Sequence, residues 1–408
     1  MPSFDRRTLL KTGGAVSFGI GMSGCLDRFG DDRHRNTEPA DRRVTPDENP
    51  TDWPRPTRSP ANNLVSPAAT PPKTEPTVEW QVDTPTTCDR LVIVDKTIVA
   101  STAESVHAVS LTDGTEQWRV DEGGRVVNAI AGRCYVIRAE TVVALTVETG
   151  ETIWEHEFDR WAIDLIELDG TVYVTTDEGL FGLHADSGEK RWHVDSDGRE
   201  GFLAVSDGDL QWANDRQYTI FAVDGAHEPT IDQQYSLSTE TSTIRPNAPT
   251  VVDGTIAIGG ADINFGAETP VRVIDRDVVY SRVFEPYMLT PAIVDDRILI
   301  AGYDNRSGAM ETSTVAACSH DLDERLWETT VDEPIGAPAV ADGVIYTGGG
   351  YPAQSGDRRG KLYALTVDTG EVLWEIETAG ANAGHPLALV GESIVVGSHD
   401  GISMLSPA

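Results

Sequence analysis

The chain is 408 residues long and carries 66 acidic against 32 basic side chains, a formal charge of −34, with 39% hydrophobic residues. That hydrophobic share is enough to fill a core, so the acidity belongs to the surface and is not a signature of disorder. Charge this negative argues against nucleic acid and anionic lipid headgroups as partners, because both would be repelled, and the length allows one large domain or two to three ordinary ones.

The first 25 residues read as an address. Arg6 and Arg7 open the charged region, "TLLK" follows, and a glycine-rich, mildly apolar run extends from Thr12 to Gly24. The run is too short and too rich in glycine to span a bilayer as a helix. The paired arginines resemble the twin-arginine export signal and "MSGC" resembles a lipobox, so Cys25 is expected to become the lipid-bearing N-terminus once residues 1–24 are removed. One lipid modification anchors a chain to a membrane without spanning it, which places the protein at the extracytoplasmic face. Residues 25–50 combine Asp, Arg and Pro with almost no apolar content, the composition of a disordered tether. Residues 51–76 stay Pro-rich but gain Trp53, Leu64 and Val65, which predicts an extended arm lying on the domain of residues 77–408. Lysine is scarce (Lys11, Lys73, Lys96, Lys190 and Lys361) beside so many acids. An acidic surface poor in Lys looks like that of proteins from saturated brines, where charge repulsion is screened at short range; a halophilic archaeal source is the expectation.

From there the chain repeats. "LTVETGETIWE" at 145–155 returns as "LTVDTGEVLWE" at 365–375, and related stretches end at Trp118, Trp192 and Trp327. Gly114, Gly150, Gly188 and Gly370 precede their Trp by four positions, and Asp323 takes that place before Trp327. Short β-branched runs interrupted by Asp-Gly, such as "LDGTVYVTT" (168–176) and "ADGVIYTGG" (341–349), predict hairpins upstream of each Trp strand. The Trp spacing is 36 from Trp118 to Trp154, 38 to Trp192 and 47 from Trp327 to Trp374. Two degenerate units, near residue 232 and near Tyr280, fill the long gap. Four-stranded units of roughly 40 to 50 residues predict a β-propeller. The last 21 residues of the repeat region, 385–405, supply three strands without a Trp strand, and "TVEWQVD" (77–83) is a Trp strand with nothing before it. Pairing them closes the ring without an open edge, and predicts an all-β, eight-bladed propeller.

The units resemble the pyrroloquinoline-quinone-type (PQQ-like) repeat, whose tryptophan-docking motif is roughly Ala-x-Asp-x-x-Thr-Gly-x-x-x-Trp. The resemblance covers residues from about 77 to the end. It departs at the Asp position, which here reads Ser110, Thr146, His184, Ser319 and Thr366. It implies that Trp80, Trp118, Trp154, Trp192, Trp327 and Trp374 are structural pegs between blades. The family includes quinoprotein dehydrogenases, which hold PQQ and Ca²⁺ in the central channel with a vicinal disulfide against the cofactor. This chain has no adjacent cysteines, since Cys88, Cys134 and Cys318 alone follow Cys25, and no Glu/Asn/Asp set can be assigned to the calcium. The family also includes non-enzymatic members, such as the propeller lipoprotein of the bacterial outer-membrane β-barrel assembly machinery, a class similar to this chain in its lipid anchor. The expectation is a monomeric, non-catalytic, cofactor-free propeller that binds a protein partner at the membrane; the alternative is a PQQ- and calcium-dependent dehydrogenase.

Other chemistry is thin. Three cysteines after Cys25 allow at most one disulfide, and Cys134 and Cys318 read as buried small apolar residues. The histidines lack metal spacing and read as isolated surface or strand positions, His107 among them. No catalytic serine elbow or phosphate-binding glycine loop is present. Insertions are more informative. Residues 261–270, 303–314 and 351–360 are long links between second and third strands in three consecutive late units, and such links share a face with the links between blades. Asn264, Phe265, Tyr303, Asn305, Arg306, Tyr351, Arg358 and Arg359, with Asn382 and His385 at the channel mouth, are the expected partner contacts.

Overall fold

Each blade begins as a hairpin. In "LDGTVY" Asp169 and Gly170 both have positive φ, 50° and 73°, the two-residue turn whose twist matches its strands. A Cβ on Gly170 would meet nothing within 4 Å, so this glycine is held for its backbone conformation alone. A computed structural model describes residues 52–408 apart from 197, 199–200, 225, 238–243, 263–268, 276–277, 285–286, 304–311, 351–358 and 380–385.

The described strands form eight antiparallel blades around one axis. The innermost strands of blades 1 to 4 are Cys88–Val94, Arg125–Ile130, Ala162–Leu168 and Gly201–Ser206. Those of blades 5 to 8 are Thr250–Val252, Ala292–Val294, Ala339–Ala341 and Leu387–Val390. Three further strands run outward from each. In blade 8 the outermost strand is Thr77–Asp83 from the other end of the chain, paired antiparallel with Gly401–Ser406 so that Trp80 faces Met404. The ring therefore closes through main-chain hydrogen bonds between the two ends, as the unpaired Trp80 strand predicts. The core lies between blades. Tyr135 and Val142 of blade 2, for example, pack with Val172 and Phe181 of blade 3.

The repeated tryptophans explain this stacking. At four blade boundaries the indole of one blade lies on the turn glycine of the next: an added Cβ would come within 2.7 Å of Trp80 at Gly114, 2.5 Å of Trp118 at Gly150, 2.5 Å of Trp154 at Gly188 and 2.3 Å of Trp327 at Gly370. The indole N–H then donates across the blade boundary to a main-chain carbonyl. Trp118 reaches Val147 at 2.7 Å, Trp154 reaches Ala185 at 2.7 Å and Trp327 reaches Val367 at 2.9 Å. That acceptor is a backbone group, so docking survives loss of the motif's Asp. Thr146 and Thr366, which stand in the Asp place, accept from the N–H of Glu151 and Glu371 at 3.2 Å and hold the turn instead. The indole nitrogens of Trp80 and Trp192 find no acceptor among the described residues. Register places Gln233 opposite Ile220 and Tyr280 opposite Val273, the positions of the two degenerate units.

The Pro-rich arm has a role that composition does not reveal. The innermost strand of a blade is an edge strand, with N–H and C=O groups turned to the channel. Residues 52–73 run round the axis and meet these edges in blade order. Trp53 exchanges two 2.7 Å hydrogen bonds with Ile93 of blade 1, Pro54 O accepts from Ala129 of blade 2, and Arg55 reaches blade 3. Pro60 O accepts from Val205 of blade 4 and Ala61 O from Val251 of blade 5. Asn63 bonds Ile293 of blade 6, Leu64 O accepts from Val340 of blade 7, and Thr70 N donates to Gly391 of blade 8. Proline suits this path, because it donates nothing and leaves its carbonyl free for a strand N–H. The arm also replaces a missing peg-hole: blade 8 has no motif turn, and Trp374 Nε1 donates to Pro72 O at 3.1 Å instead.

Candidate functional site

The arm contacts lie toward the far ends of the innermost strands, whereas the near ends, where the inter-blade links enter, stay open around a cavity of about 160 Å³. Every blade contributes to its wall, through Arg90, Arg125, Asp164, Phe202, Asn247, Thr290, Ala337 and Leu387, and the arm supplies Arg55, Pro56, Thr57 and Leu64 as its floor. Among the described residues the channel is thus a basin, open on the link face. In blades 1 to 3 the innermost strand is bulged between Cys88 and Arg90, Val126 and Asn128, and Ala162 and Asp164. A bulge re-aims side chains and sharpens twist, and here it accompanies the charged residues of the wall.

Arg55 is buried at 3% exposure and holds its single carboxylate partner, Asp164, at 3.3 Å while donating to Leu165 O at 2.6 Å. Asp164 also accepts from Leu203 N at 2.9 Å. This buried pair ties arm, blade 3 and blade 4 together, and removing either partner would leave a buried charge uncompensated. Arg125 spans to Ala162 O and Ile163 O at 3.3 and 3.1 Å. Arg90 is half-buried beside them, and burial, followed by the nearby Arg125, holds its pKa below the ordinary value. At the rim stands Trp161, in the link between blades 2 and 3, 66% exposed and adjacent to the strand that carries Asp164.

The structure treats the sequence-predicted residues unevenly. Trp80, Trp118, Trp154, Trp192, Trp327 and Trp374 all lie on outermost strands. Asn264, Phe265, Asn305, Arg306, Tyr351, Arg358, Asn382 and His385 lie outside the described residues, as do Arg6, Arg7 and Cys25. Tyr303 and Arg359 are described in backbone only: Tyr303 pairs with Tyr287 and Ser313, and Arg359 with Ala379. The strands flanking these links end on the same face as Trp161. Sequence reading missed Trp161, whose "DRW" carries no repeat signal, and missed the cationic basin, because its arginines come from the arm and two different blades.

His107 lies on the strand Val106–Ser110, as the sequence suggests, but it is not isolated. It is buried, with Nε2 2.7 Å from Ser105 Oγ and Nδ1 3.1 Å from Glu116 Oε2. The order resembles a hydrolytic triad, but Ser105 is fully buried and its hydroxyl also meets Thr102 Oγ1 at 3.1 Å, so no substrate reaches it. The cysteines Cys88, Cys134 and Cys318 are free and buried, with the Cys88 thiol pushed up to about 12 by burial. Among the described residues no group of three or more His, Cys, Asp and Glu is placed to hold a metal, and none of the described helix-free structure offers a long apolar helix able to cross a membrane. Among the described residues the basin does not fit a calcium–quinone pair: its one described carboxylate is already engaged by Arg55, and the other described charged lining groups are guanidiniums that would repel the cation.

The sequence profile described as outer membrane protein assembly factor BamB matches residues 102–348 and 311–408. The chain belongs to this family. By sequence, no curated protein is significantly similar to it. Among solved structures the propeller resembles BamB from Moraxella catarrhalis, with a TM-score of 0.62 and 15% identity over 81% of this chain and 99% of that one. It also resembles the quinohemoprotein alcohol dehydrogenase ADHIIG from Pseudomonas putida HK5, with a TM-score of 0.61 and 13% identity over 90% and 81%. Sqt1 from Saccharomyces cerevisiae aligns with a TM-score of 0.59 and 9% identity over 82% and 100%. At these identities the structural likenesses establish the fold alone; family membership rests on the sequence profile.

Proposed function

We propose that this family member is a non-catalytic, lipid-anchored propeller that holds a protein partner on its link face, outside the cell membrane, with Cys25 as the anchor. The observation that carries the reading is Trp161, a large aromatic left 66% exposed in the link that leads into the innermost strand of blade 3. Tryptophan is the residue type that most often dominates a protein interface once a partner covers it. The family description, an assembly factor for outer membrane proteins, supports a task beside other envelope proteins. Asn264, Phe265, Tyr303, Asn305, Arg306, Tyr351, Arg358, Arg359, Asn382 and His385 belong to the same proposed surface. The acidic exterior favours a partner whose facing patch is basic.

The test places a photo-crosslinking residue at position 161 and irradiates native membranes at high salt. A discrete crosslinked partner is expected, and Trp161→Ala should weaken its capture about tenfold or more, the loss typical of an aromatic hot spot. Equal capture by Trp161→Ala and the parent chain would remove the reading. Cys25→Ser should release the chain into the soluble fraction, and retention at the membrane would overturn the anchor.

A further inference from the structure

The basin is charged against the trend of the whole molecule. In a chain of formal charge −34, three arginines and a single carboxylate line one cavity among the described residues. Asp164 is committed to Arg55 and to Leu203 N. Among the described residues the Arg90 guanidinium has neither a hydrogen bond nor an ion pair, although it lines the cavity. Arg55 Nε, buried in a residue 3% exposed, likewise lacks an acceptor. Arg125 meets only carbonyl oxygens. Guanidinium groups brought this close repel one another, and buried donors without acceptors destabilise a fold. Both defects vanish if an anion sits among them.

We propose that the basin is a binding site for a small oxoanion, a phosphate or a short dicarboxylate, held by Arg90 and Arg125 above the Arg55 floor. Guanidinium forks match the paired oxygens of both groups. The cavity, about 160 Å³, far exceeds the ~10–15 Å³ that admits one water, so an oxoanion fits. Partial removal from solvent strengthens the attraction relative to a surface arginine. The site is separate from the docking of a partner at Trp161, and either can fail alone.

The experiment titrates the full chain with inorganic phosphate and, separately, with succinate, following heat of binding and thermal midpoint, with potassium chloride added to the controls at matched ionic strength. Saturable binding of at least one oxoanion, with a midpoint above the chloride control, is expected. Arg90→Gln should weaken that binding at least tenfold and should raise the midpoint in anion-poor buffer, because it removes a guanidinium that Arg125 and Arg55 repel. Arg125→Gln provides a second variant with the same expected loss of binding. Failure of both anions to bind saturably, an equal effect from chloride, or unchanged affinity in the arginine variants would overturn the site. Phosphate binding without succinate, or the reverse, assigns the oxoanion class.

Discussion

At the scale of single residues, two glycines that look alike in sequence do different work. Gly170 and Gly150 both have positive φ, 73° and 70°. A Cβ at Gly170 meets open space, whereas at Gly150 it lands 2.5 Å from the Trp118 ring. Gly170→Ala should therefore cost about 1 kcal/mol, the backbone penalty alone. Gly150→Ala must also displace an indole between two blades, and should cost about 3 kcal/mol or more once strain and lost packing combine. Chemical denaturation of the two variants measures the gap, and equal losses would contradict cross-blade stacking. The tryptophan period is legible in sequence because the same contact recurs at four blade boundaries. The acceptor of the indole N–H is not, since a backbone carbonyl leaves no trace in residue identity. That is why replacement of the motif's Asp by Thr146 or Thr366 looks like a defect in sequence and is none in the fold.

At the scale of elements, the arm of residues 52–73 behaves as a ninth structural unit. Trp53 is fully buried among residues of blades 1, 7 and 8. Asn62, also fully buried, donates to Leu203 O at 2.7 Å and Pro249 O at 3.0 Å. Trp53→Ala should destabilise by about 3–5 kcal/mol. Asn62→Ala, which strands two buried carbonyls, should cost about 1–3 kcal/mol. Both are read from the urea midpoint, and near-parent midpoints would mean that the arm only rests on the propeller. Sequence shows that this segment cannot be a helix or an inner strand, because proline recurs and supplies no N–H. Its circular path depends on eight strand edges scattered over some 300 residues, which no local pattern encodes.

At the scale of the whole molecule, charge sets the working conditions. Sixty-six acids on a chain with 32 basic residues repel one another across the surface. Screening contracts from ~10 Å at 0.1 M salt to ~3 Å at 1 M. The thermal midpoint should therefore climb steadily between 0.1 and 2 M potassium chloride, by roughly several degrees for each ~2 kcal/mol recovered in a chain of this size. Calorimetry across that series decides it, and a flat profile would place the source of stability in packing alone. The Arg55–Asp164 pair, shielded from solvent, should contribute little to the slope.

Sequence by itself determined the blade count, the Trp80 closure and the positions of the pegs, because each rests on a local pattern that recurs along the chain. Tertiary structure alone decided that the arm floors the channel, that Arg55, Arg90 and Arg125 converge there, and that Trp161 is left bare at the rim. The physical reason is the ring itself. It brings residues from distant blades to one axis, where bulges and a foreign segment, not the repeat, choose which side chains meet.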